Sequence, residues 1–127
     1  MRAVDTSLLV RLVTRDEPKQ ALAAEAFVAR GAWISHLVLI EAVWVLSTVY
    51  GLDHRELVMA VEMLLQHERL TIQNAETVSA ALEHYRQKPK PGFSDCLILE
   101  VARKAGHLPL GTFDRDLSRL EGTERLP

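Results

Sequence analysis

Four short apolar runs recur along this chain at wide intervals: "RAVD" near the start, then "AWIS", "RLTIQ" and "LPLGTFD". Between them lie stretches whose apolar residues are spaced three and four apart, the period of a helix face. Strands alternating with helices predict an α/β domain with a parallel sheet covered by helices on both faces. "EGTERLP" offers a fifth, marginal strand.

The punctuation agrees with this reading. "TSLLVRLVTRD" carries Leu8, Leu9, Leu12 and Val13 at helical spacing, and "EPKQALAAEAFVARG" has Pro18 near its start, Gly31 past its end and Leu22, Ala23, Ala26 and Phe27 as a face. Ser35 is placed to cap the helix of "HLVLIEAVWVLSTVYG", which Gly51 ends. Asp53 caps an amphipathic helix with Leu57, Val61, Leu64 and Leu65 on one side, and Asn74 opens "NAETVSAALEHYRQK". After the break "PKPG", Ser94 begins "SDCLILEVARKAG" and Gly106 ends it. No repeat or linker divides the chain, so one domain over residues 1–127 is expected.

At 127 residues the chain can bury roughly 65–70% of its unfolded surface in one core, and it is too short for two. A net charge of −2 leaves no whole-molecule pull toward nucleic acid, so any such contact needs a local basic patch. A lone cysteine, Cys96, excludes an intramolecular disulfide and fits a reducing compartment. The start shows no signal-peptide pattern. The longest apolar stretch is interrupted by His36 and Glu41, which argues against a membrane span. A cytoplasmic protein is expected.

Four acids stand where a charge is costly. Asp5 ends the first strand, and Asp114 follows the fourth. In a parallel sheet both would lie at the carboxyl edge, where ligands bind. Glu41 sits among Leu37, Ile40, Trp44 and Val45 on a helix apolar nearly all round, so it is expected to face something other than bulk water. Asp95 lies in the first turn of its helix, ahead of "CLILEVA". Each has a plainer alternative: Asp5 as a helix cap, Glu41 as the partner of a buried Arg, Asp95 as a complement to the helix dipole, Asp114 as a turn residue. Gathered together, four carboxylates would repel one another until protons or a cation relieved them. Oxygen ligands without His or Cys suit Mg²⁺ or Mn²⁺ rather than zinc. Such an ion would activate water against a phosphodiester.

The segments "VDTSLLVRL", "LIEAVWVL", "FSDCLILEVA" and "TFDRDL", in that order, resemble the PIN domain, and within it the VapC-type toxins of bacterial toxin–antitoxin pairs. The resemblance covers essentially the whole chain. It implies a three-layer fold with a central parallel sheet flanked by helices. It also implies metal-dependent RNA cleavage, a homodimer and a VapB-like antitoxin partner. Carried over residue by residue, the catalytic and metal-holding acids are Asp5, Glu41, Asp95 and Asp114. Asp5, Asp95 and Asp114 would hold the ion directly or through water, while Glu41 completes the shell or orients the attacking water. Thr6 and Thr112 match the hydroxyl positions beside the first and last acids. Asp116 competes for the fourth place, but the Thr-x-Asp pattern favours Asp114. Leu117 stands where the family usually carries an aromatic.

Arg86, Lys88 and Lys90, with Arg11, Arg15 and Arg115, are candidates to hold RNA phosphates; the alternative is a solvated loop face. The five histidines lack zinc spacing, Cys96 reads as a small core residue, and no nucleotide-binding glycine loop occurs. Trp33 and Trp44 read as core or interface residues. Self-association is expected through Trp44, Val45 and the helix around Val58 to Leu65. A catalytically silent binding module and a DNA-directed nuclease remain the two rival readings.

Overall fold

Strand β1, Arg2–Ala3, enters helix α1, Thr6–Thr14, through the two residues Val4 and Asp5. The computed structural model describes all 127 residues, in two compact units, Met1–Ala75 and Glu76–Pro127. The first unit continues with α2 (Pro18–Val28), β2 (Ala32–Ile34), α3 (His36–Thr48), α4 (His54–Gln66) and β3 (Leu70–Ile72). Its strands form a parallel sheet in the order β1-β2-β3, with Arg2 opposite Ala32 and Ala32 opposite Leu70. The amides of Val4 and Gln73 extend the pairing to Trp33 and Ile34.

Helix starts follow local chemistry. The Ser35 hydroxyl accepts the Val38 amide, and Asp53 and Glu56 form a reciprocal capping box. The core of this unit joins Leu9 and Leu12 to Ile34, Leu39, Leu46, Val61 and Leu64. On α2 the buried face is not the one expected. Ala21, Ala24 and Val28 are inside, whereas Leu22 is 63% exposed. The physical reason is close approach: α1 packs on α2, and alanines at 21 and 24 let the backbones meet where Leu would hold them apart. Of the surface expected to join two copies, Trp44 is 62% exposed and Met59 and Met63 also face out, while Val58, Val61 and Leu64 belong to the core.

The second unit holds α5 (Ala75–Gln87), α6 (Phe93–Ala105), β4 (Leu110–Thr112), a 3₁₀ turn (Leu117–Arg119) and β5 (Thr123–Arg125). Asn74 does not act as the expected cap; it takes a left-handed conformation (φ 43°) and the helix begins directly after it. Likewise α6 starts at Phe93, one residue before Ser94. Strands β4 and β5 form their own parallel pair, Leu110 opposite Thr123 and Thr112 opposite Arg125.

A buried acid ties this unit together. Glu100, 7% exposed, accepts from His84 Nε2 at 3.1 Å and from Arg103 Nε at 3.2 Å. Arg103 in turn donates Nη2 to the Glu121 carbonyl at 2.7 Å. Its guanidinium lies on Gly122 (φ +97°), where a Cβ would stand only 3.1 Å away. The positive φ favours glycine there, and any Cβ would also make the Arg103 guanidinium give way.

Candidate active site

The first unit contributes Asp5 and Glu41. Both line a cleft of about 580 Å³ between α1 and α3, with Thr6, Ser7, Val10, Arg11, Val38, Val45, Val49 and Tyr50. Asp5 is the N-cap of α1: its Oδ1 accepts the Leu8 amide at 3.1 Å and the Ser7 hydroxyl at 2.9 Å. Those two donors hold its carboxyl below the usual range, with only a small opposing effect of burial. The cap alternative for Asp5 is therefore realised, without excluding a ligand role for its other oxygen. Glu41 is exposed, contrary to the expectation that it would be shielded. The apolar residues around it on α3 are spread about the helix, and those that go inside are Leu39, Ala42 and Leu46.

The second unit contributes Asp95 and Asp114. Asp114 follows β4 and is fixed from both sides. Its amide donates to Thr112 Oγ1 at 2.9 Å, and its Oδ2 accepts the Leu117 amide at 2.9 Å. Asp95, half-buried in the first turn of α6, has its carboxyl pushed up, first by burial and then by the like charge of Asp114. Asp116 is instead engaged by Arg119 at 3.4 Å. Within each unit taken alone, no set of three or more His, Cys, Asp or Glu side chains gathers around a common point.

The donor chemistry fits a hard divalent cation. Asp95 gains by any nearby positive charge, and Asp114 leaves one oxygen outside its turn bond. Among the basic candidates, Arg15 is paired with Glu25 at 2.6 Å and Arg86 with Glu83 at 3.5 Å. Lys88, Lys90 and Arg115 are exposed. Cys96 is fully buried and its thiol is pushed up to about 11, chiefly by burial, which suits a packing residue rather than a nucleophile.

Sequence reasoning missed Ser7 and Tyr50. Ser7 stands two residues from Asp5, a spacing at which a hydroxyl reaches a capping carboxylate. Tyr50 had no such local signal, because its partners Arg11 and Asp16 are more than thirty residues away.

A family model for the PIN domain matches residues 2–122. No curated protein matches the chain significantly. Among solved structures, the crystal structure of Mycobacterium tuberculosis VapC20, a sarcin–ricin loop cleaving toxin, is similar at 23% identity and a TM-score of 0.43, covering 100% of both chains. No helix is long and apolar enough to cross a membrane.

Proposed function

Starting from the fact that this chain belongs to the PIN-domain family, we propose that it is a metal-dependent endoribonuclease acting as the toxin of a toxin–antitoxin pair. In this reading residues 1–127 work as one domain, and Asp5, Glu41, Asp95 and Asp114 serve a single site. The observation that carries it is the setting of Asp114. One bond from its amide and one to its carboxylate fix Asp114 at the end of β4, within electrostatic reach of half-buried Asp95.

Asp5, Asp95 and Asp114 would hold the cation, Mg²⁺ or Mn²⁺, directly or through water. When bound, the ion would supply Lewis acidity and a water acidic enough to ionise near neutral pH. Thr112 keeps Asp114 in its turn, and Thr6 stands at the start of α1 on the cleft wall. Ser7 and the Leu8 amide both engage Oδ1 of Asp5, so Oδ2 lies outside these two bonds. Exposed Glu41 would complete the shell or orient the attacking water. Arg86, Lys88, Lys90 and Arg115 hold flanking phosphates of the RNA.

A VapB-like antitoxin restrains the enzyme in the cytoplasm, and a homodimer forms through the exposed face of α3 that carries Trp44. The decisive experiment offers matched single-stranded RNA and DNA to the purified chain, with Mg²⁺ or Mn²⁺ and then with excess chelator. Cleavage of RNA alone, abolished by chelator, is expected. Cutting of DNA would replace the substrate, cutting in chelator would remove the metal, and no cutting would favour a silent binding module.

A further inference from the structure

We propose that the cleft between α1 and α3 is a nucleobase subsite, in which Arg11 reads a guanine next to the bond that is cut. The inference rests on the ribonuclease reading above and adds a base preference to it.

Val10, Val38, Val45 and Val49 give the cleft an apolar lining, beside the polar side chains of Asp5, Thr6, Ser7, Arg11, Glu41 and Tyr50. Asp5 and Glu41 belong to the reaction, while Arg11 and Tyr50 have no part in it. A volume of about 580 Å³ is ample for one base and its sugar. Asp5 and Arg11 are six residues apart along α1, roughly 9 Å of helix axis at about 1.5 Å per residue. That is the order of the reach from a phosphate to the far edge of its base.

The guanidinium is already oriented. Arg11 Nη1 donates to the Tyr50 hydroxyl at 2.8 Å and to Asp16 Oδ1 at 3.4 Å, and Nε donates to Gln20 Oε1 at 2.5 Å. The Tyr50 hydroxyl donates on to Asp16 Oδ2 at 2.9 Å. Nη2 is left with two N–H donors and no protein acceptor. Asp16 offsets much of the positive charge, which weakens Arg11 as a phosphate clamp and leaves it as a directional donor. Guanine presents adjacent O6 and N7 acceptors to such a group, adenine only N7 beside an amino donor, and pyrimidines lack N7 altogether. An apolar peptide side chain would suit the valine walls but leave Nη2 unpaired, which favours the base.

The test follows the valine methyl resonances of the full chain, without metal, during titration with guanosine 5′-monophosphate or cytidine 5′-monophosphate. Val10, Val38, Val45 and Val49 should shift, with the guanine nucleotide bound about tenfold more tightly or better. Arg11→Met keeps an unbranched stem but removes every donor, and should erase that difference; its thermal melt reports whether it folds. Mapping of cuts in a mixed-sequence RNA should show a guanine bias beside the cut in wild type and none in Arg11→Met. Equal binding of the two nucleotides by a chain that does cut RNA overturns the subsite alone. Valine shifts produced only by an apolar peptide overturn it in favour of a protein partner. RNA left uncut with metal present defeats the ribonuclease reading, and with it the placement of this base beside a cleaved bond.

Discussion

The carboxylate of Asp5 accepts both an amide and a hydroxyl, and each bond favours its ionised form. Because its folded pKa lies below the unfolded one, its stabilising effect is full above the unfolded value and is lost as pH falls through the folded value. The cap and the proposed ligand can be separated. Asp5→Ala should cost about 1 kcal/mol in urea unfolding, whereas Asp5→Ser, which restores a capping oxygen, should unfold close to wild type. Both should lose RNA cleavage well beyond the roughly 10–100-fold that removal of a supporting residue costs. Asp95 has the opposite sign. Its raised folded pKa makes the native state less stable as pH climbs through that value, and the penalty is complete above it. Without metal, Asp95→Asn should therefore melt higher than wild type at neutral pH, with the advantage gone in acid. Added Mg²⁺ or Mn²⁺ should raise the melting temperature of wild type and leave the variant unmoved. Equal melting curves at every pH would deny Asp95 its repulsive setting.

Among the elements, α6 depends most on a single polar side chain. Glu100 is buried on α6 between His84 of α5 and Arg103, which reaches the turn before β5. Glu100→Ala takes the acid away from both His84 and Arg103 and should cost about 1–3 kcal/mol, read by denaturant unfolding. A smaller change would mean that solvent reaches His84 and Arg103 well enough to replace the acid. How much of this was legible depended on distance along the chain. The caps Ser35 and Asp53 could be read because a cap and its amide partner are three residues apart. The order of strands and helices was equally open to reading from periodicity. Glu100 was not, since His84 is sixteen residues away and an acid on a helix ordinarily marks its wet side. The buried face of α2 was misjudged because hydropathy points to Leu22 and Phe27, while packing selected Ala21 and Ala24 for their size. All four acids were visible as residues out of place, yet the exposure of Glu41 depends on tertiary packing that no pattern along α3 records.

For the molecule as a whole, the proposed activity predicts a phenotype. Expression of the chain alone should arrest growth, and Asp95→Asn expressed to the same level should not. Co-expression with a cognate antitoxin should restore growth to the wild-type chain. If the wild type and Asp95→Asn prove equally innocuous, the toxin reading falls and the silent binding module takes its place. The division of the acids along the chain bears on how such an enzyme is made. Asp5 and Glu41 belong to Met1–Ala75, and Asp95 and Asp114 to Glu76–Pro127. A ribosome therefore releases the first two acids long before the last. On the proposed four-acid site, a chain terminated between Glu41 and Asp95 would carry only two of the four carboxylates. On that proposal, synthesis itself would then act as a safeguard, because Asp114 leaves the ribosome only after Asp5, Glu41 and Asp95.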